Sequence, residues 1–319
     1  MDQDNEPTSD YEGSIAASEF TTARTSHLRY WFESGRRYQG LFLDRYGLPN
    51  DDIEQMREGI KHTLYLDYLH DGKLLLAPIG DHPQKIVDLG TGFGFWVQDV
   101  AERYESARVI GTDISPIQPK WAPPNCEFHV EDLEDEERPW TTIYSGADLI
   151  HIRSVIPILR DPQRLIHRSF ENLRSGGWIE CHEIVTELRS DDGTVTADHP
   201  LNAMYRQLKN GPFSARYGWS LEASGRIPEM MEAAGFVNIK VQHNKVPLGR
   251  WGADTRAREM GLFCRTICED LLVALTSRHA AMGLSEEEAT QLTCDFYQTS
   301  NDTSIHGWMD WIDVWAQKP

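Results

Sequence analysis

The run Ile86-Val87-Asp88-Leu89-Gly90-Thr91-Gly92-Phe93-Gly94 constrains this chain more than any other. A short apolar, β-branched stretch enters three glycines at alternate positions, and apolar residues at helical spacing follow over 95–104. Glycine lets a backbone turn tightly and approach a ligand with no Cβ in the way. A strand, a glycine turn and a helix in that order form the first unit of a nucleotide-binding α/β fold. The spacing is G-x-G-x-G, and Phe95 stands where a dinucleotide fingerprint calls for Gly or Ala. Its ring opposes the close helix–strand packing of NAD enzymes. Glycine turns also serve as plain bends, so the rest of the chain has to decide.

From residue 85 onwards, short apolar runs at 85–89, 108–112, 127–130, 148–152 and 178–184 alternate with helical spacing at 95–104 and 162–173. Alternation of this kind predicts βαβ units and a parallel sheet. Arg174-Ser175-Gly176-Gly177 reads as a stop before the fifth strand. A helix at 227–234 closed by Gly235, a strand at 236–242 and a last strand at 311–316 complete a doubly wound, mostly parallel seven-stranded α/β sheet. Residues 25–80 read as a mainly helical cap, with a start signal at Pro49-Asn50-Asp51-Asp52. A helical insertion is expected at about 250–305, starting again at Ser285, within a catalytic domain over 81–319. Residues 1–24, acidic and poor in large apolar groups, read as a disordered tail.

Two further positions turn the glycine bend into a site. Asp113, with Ile114 beside it, ends the second strand, where a carboxylate takes both hydroxyls of a ribose. Asp132 follows the third strand, where its side chain suits an adenine amino group and the Leu133 N–H suits the ring. Asp132 also belongs to an acidic run, Glu131 to Glu137, that would be solvated in any case. Ligands of open α/β sheets bind at the carboxyl ends of the strands, and three consecutive ends bear Asp or Gly here. Asp88, Gly90, Gly92, Gly94, Asp113, Ile114, Asp132 and Leu133 are therefore the expected cofactor-binding set.

Charge and cysteine content exclude other classes. A net charge of −19 opposes a general grip on phosphates, so no direct nucleic-acid partner is expected. No apolar run nears the roughly 20 residues that span a bilayer, and the N-terminus lacks the pattern of a signal peptide. A cytoplasmic location is expected, with the nucleus as an alternative, and no membrane partner. Five scattered cysteines fit reduced thiols. Cys264 and Cys268 lie one helical turn apart with no second ligand pair, whereas zinc takes about four ligands, so no metal is expected.

The motifs Gly35-Arg36-Arg37-Tyr38, Leu48 to Gln55, Leu76-Ala77-Pro78-Ile79, the glycine turn, Ile110 to Pro119, Ile150-His151-Ile152-Arg153 and Gly176 to Glu180 resemble, in order, the LaeA-like methyltransferases of filamentous fungi. The likeness runs from about residue 34 to the end, departing at Phe93 and Phe95, where smaller residues are commoner. It implies the class I methyltransferase fold and S-adenosyl-L-methionine as cofactor. It also implies either a tailoring enzyme of secondary metabolism or a regulator that associates with velvet-type proteins.

Transfer from a sulfonium needs alignment above all, and a base is optional. For a hydroxyl acceptor, His151 at the end of the fourth strand, or His182 and Glu183 at the end of the fifth, are the candidates. His151 also reads as a pocket wall and His182 as a satisfied histidine. Tyr38, Arg57 and His62 are candidates to fold over the mouth and meet the cofactor carboxylate, or are ordinary helix surface. Phe213, Tyr217 and Trp219, in a loop after the fifth strand, form with Met230 and the insertion either an acceptor pocket or plain core. The first expectation is a methyltransferase acting on a small-molecule acceptor, most simply at oxygen. The second is a regulator working through protein partners, and the third is a cofactor-binding protein without transfer.

Overall fold

The computed structural model describes residues 30–40, 45–140 and 143–319. The expected tail at 1–24 lies outside them. A two-stranded hairpin comes first, β1 (Tyr30–Glu33) and β2 (Arg36–Gln39), turned by Ser34 and Gly35 at positive φ. This corrects the reading of 25–80 as mainly helical. The aromatic run Tyr30-Trp31-Phe32 favours strand, and two successive positive-φ residues make the tight turn that matches strand twist. Helix α1 (Asp52–Thr63) begins where its polar cap predicts: the Asp51 side chain accepts the Glu54 N–H at 3.1 Å. Arg36 forks onto that same carboxylate at 2.6 and 2.9 Å, which ties the hairpin to the start of the helix. The helix continues as a π-helical turn, Leu64–Leu69.

The main sheet then assembles from β3 (Lys85–Leu89), α2 (Phe95–Arg103), β4 (Arg108–Asp113), β5 (Cys126–Val130), β6 (Ala147–Arg153), α3 (Pro162–Asn172) and β7 (Leu173–Arg189). Two helices, α4 (Pro200–Asn210) and α5 (Pro212–Tyr217), occupy what the sequence suggested was a loop. Proline at the first turn starts both, because its missing N–H costs nothing there. Helix α6 (Ile227–Ala234), β8 (Val237–Pro247), α7 (Thr255–Thr276), α8 (His279–Met282), α9 (Glu286–Asn301) and β9 (Trp308–Gln317) complete the chain. Ser285 and Glu288 form a reciprocal capping box at the start of α9.

The order is β5-β4-β3-β6-β7-β9-β8, with five parallel strands and β9 antiparallel to both its neighbours. This is the expected seven-stranded, mostly parallel sheet. Strand β7 is longer than 178–184: residues 174–177 do not end the preceding element but extend the strand, and Leu173 pairs with Ala147 across an irregular register. Alternation along each strand feeds two cores. Val87 and Ile150 pack on the side of α3 and α6, whereas Ile86 and Leu149 pack with Trp96, Val97 and Val100 of α2. A third core, with Leu64, Leu208, Phe213, Leu272 and Trp311, joins α1, α4, α5 and α7 to the sheet. Successive strands leave β3 in opposite directions, so a crevice opens at the tips of β3 and β6. Among the described residues no helix is long and apolar enough to cross a membrane.

Candidate active site

The crevice is a cavity of about 240 Å³ between the strand tips, α1, α4 and α7. At its floor Gly90 leaves β3 with φ +78°, and a Cβ there would lie 2.3 Å from Cγ2 of Val155. Only glycine meets both demands. Gly92 (φ +57°) faces open space, since an added Cβ would meet nothing within 4 Å. Gly90, Gly92, Phe93, Asp113, Ile114, Asp132 and Leu133 all line the cavity. Asp113 accepts the Gly92 N–H at 2.9 Å and the Ser115 N–H at 2.8 Å, so the second strand end and the glycine bend are one rigid unit. Burial pushes its carboxyl up to about 6. Asp132 accepts the Glu134 N–H at 2.9 Å and meets Arg45 Nε at 3.3 Å.

The other expected cofactor residues sit elsewhere. Asp88 and Gly94 are outside the cavity wall: Asp88 is buried two residues before Gly90, and Gly94, in the left-handed region, starts α2 where an added Cβ would lie 2.8 Å from the Phe128 ring. Asp88 lies 2.7 Å from His151 Nδ1, and burial pushes its carboxyl up to about 6. His151 stacks on Trp96 with centroids 3.7 Å apart, and burial holds its pKa well below the usual histidine range. Its ring is buried inside the sheet and is not part of the cavity wall. Tyr38 is likewise remote, because β2 directs its hydroxyl to Ser277 Oγ at 2.9 Å on the end of α7. Its ring lies under the Arg278 guanidinium at 4.8 Å. Of the residues expected over the mouth, Arg57 lines the cavity, paired with Glu54 and Glu58. His62 instead contacts Asp99 at 2.8 Å.

His182 and Glu183 point to opposite fates on adjacent positions of β7. His182 has Nδ1 at 2.7 Å from Asp313 and Nε2 at 3.0 Å from Glu180, and these two carboxylates hold it protonated to about 9 against the cost of burial. With both nitrogens engaged it is no base for the cavity. Glu183 lines the cavity; its Oε1 accepts the Val155 and Ile156 N–H groups, each at 2.9 Å, while its buried Oε2 has no partner. Burial raises its carboxyl to about 7, and those two N–H groups limit the rise. A carboxylate free on one oxygen and poised near neutrality suits proton transfer. Ser154, unremarked in the sequence, also lines the cavity with a buried, unpartnered Oγ and a left-handed backbone at φ 59°. Such strain in a non-glycine residue concentrates at functional sites.

Among the described residues one group has metal-ligand character: His70, His182 and Asp313 offer atoms within 4.8 Å of one another. His182 is already spent on Glu180 and Asp313, so the group works as a buried ion pair. Cys264 and Cys268 are buried on α7, and the Cys268 thiol lies 3.7 Å from Met309 Sδ.

Comparison with known proteins gives the family. A family model described as a methyltransferase domain matches residues 60–241. Methyltransferase pytC of Aspergillus terreus is 33% identical over 95% of this chain and 92% of its own. A protein of Emericella nidulans named protein-methionine methyltransferase laeA is 31% identical over 96% of this chain and 81% of its own. Among solved structures, phosphoethanolamine N-methyltransferase 2 of Haemonchus contortus with S-adenosyl-L-methionine has a TM-score of 0.49 at 17% identity, covering 87% of this chain and 59% of that one. From the family match and the nearly full-length identity to pytC, the chain belongs to the methyltransferase-domain family, in the group that holds the LaeA proteins.

Proposed function

We propose that this protein methylates a hydroxyl of a small secondary metabolite, using S-adenosyl-L-methionine as donor and Glu183 as proton acceptor. The supporting observation is that the unpartnered Oε2 of Glu183 shares one cavity with the glycine bend and Asp113. The residues present fit the cofactor: open space over Gly92, a carboxylate on Asp113 and the Ile114, Asp132 and Leu133 wall suit an adenosyl group. The cations Arg45, Arg57, Lys61 and Arg153 also line the cavity, which suits a cofactor carboxylate. The sulfonium supplies an activated methyl group, and the protein supplies alignment. Glu183 receives the acceptor's proton, so that the oxygen attacks as an alkoxide or phenolate and no charge is stranded in the cavity.

The names of relatives favour a second reading, in which the acceptor is a protein side chain and the role is regulatory; partners of the velvet type are what the resemblance to the LaeA-like family implies. Calorimetry and labelling separate the two. S-adenosylhomocysteine is expected to bind the native chain, and Asp113→Asn to weaken it by about tenfold or more, the loss of one charge-assisted contact. With a methyl-labelled cofactor and a fungal extract, label is expected in the small-molecule fraction. Label confined to protein overturns the first reading, and unchanged affinity in Asp113→Asn overturns the site.

A further inference from the structure

Beyond the glycine bend the cavity runs between β7, α4 and α7, and its walls there are Met204 and Leu208 on α4 and Leu271 and Leu275 on α7. Besides Ser154 Oγ, the cavity wall carries further polar atoms that are buried and without a hydrogen-bond partner, among them Glu183 Oε2, Thr186 Oγ1 and Trp219 Nε1. Glu183 is 1% exposed. Burying polar atoms unpaired is unfavourable, and native proteins rarely leave them so without a use. An ionised Glu183 accepts only, so it requires a donor; an indole N–H donates only, so it requires an acceptor; the Thr186 hydroxyl takes either part. The Trp219 ring is held edge-on to Phe213 with centroids 4.9 Å apart, which fixes the direction of its N–H. Glu183 and Thr186 are three residues apart on β7, about 10 Å along a strand.

We propose that the acceptor is an elongated, largely apolar small molecule that carries a hydroxyl at one end, facing Glu183, and a carbonyl-type oxygen further along, facing Trp219. The inference rests on the methyl-transfer reading above and names the substrate class for that site. Helices α4 and α7 set the length accepted, and the hydrogen-bond trio sets the spacing of the oxygens.

The probes are n-alkyl esters of 4-hydroxybenzoate, from methyl to heptyl, and the matching 4-alkylphenols, which lack the carbonyl. Binding is measured by calorimetry on the full chain saturated with S-adenosylhomocysteine. Affinity is expected to rise about fourfold per added CH₂ until the walls are filled. Trp219→Phe is expected to weaken the esters about tenfold and the alkylphenols by less than about twofold. Retained S-adenosylhomocysteine binding shows that the variant is folded, and comparing the two ligand series on the native protein needs no variant. Affinity that does not change with chain length, or equal weakening of both series in Trp219→Phe, overturns the proposal and leaves the methyl-transfer reading standing. Failure of S-adenosylhomocysteine itself to bind overturns both.

Discussion

Neighbouring residues of one strand divide the chemistry here. His182 and Glu183 were equal candidates in sequence, both ionisable groups at the end of a predicted strand. Strand alternation sends one into a carboxylate clamp and the other into the cavity. Because Glu183 is raised to about 7, the transfer rate is expected to climb with pH from about 6 to 8 and then level off. Glu183→Gln is expected to abolish that limb and lower the rate by roughly 10²–10⁴-fold, read from initial rates across pH. Undiminished activity in this variant removes Glu183 from the reaction. The turn at Gly90 and Gly92 and the strand end at Asp113 were legible because backbone turns and strand ends have local signatures. The partners of His151, His182 and Tyr38 were not, since Trp96, Asp313 and Ser277 are distant in sequence and meet them only through the sheet order and the packing of α7.

At the level of elements, the buried His182 ring joins the last strand to the sheet. It bridges β7 to β9 through Asp313, opposite it in register. Its pKa is raised in the folded state, to about 9, so its stabilisation is present in full below the ordinary histidine pKa of about 6.5. That stabilisation disappears as pH rises through about 9. Asp313, held well below the usual carboxylate range by the same ring and by His70, adds a contribution lost only on strong acidification. His182→Gln is expected to lower stability by about 3–5 kcal/mol, as breaking a buried pair does, and to remove the decline in melting temperature between pH 6.5 and 9 that is expected of the native protein. Parallel melting profiles for the two proteins over that range contradict this account. The hairpin at 30–39 and helices α4 and α5 show where element reading stops: short segments carry too few periods to separate strand, loop and helix, whereas β3 and α9 announce themselves by pattern and cap.

The whole molecule carries a formal charge of −19, and among the described residues several cations are committed to ion pairs, such as Arg36 with Asp51 and Arg57 with Glu54 and Glu58. Duplex DNA is expected to migrate unshifted with micromolar protein at about 0.1 M salt, and a retarded band would demand a basic face that the charge balance argues against. The two N–H groups that Glu183 accepts belong to Val155 and Ile156, and the Val155 side chain is what forbids a Cβ at Gly90. A change at Glu183 is therefore transmitted through one short loop to the glycine bend at the cavity floor. Divergence towards new acceptors has an easier route through the walls of α4 and α7, where a methylene more or less disturbs nothing on the donor side. Relatives that exchange substrates should keep Gly90, Val155 and Glu183 together or replace all three in concert.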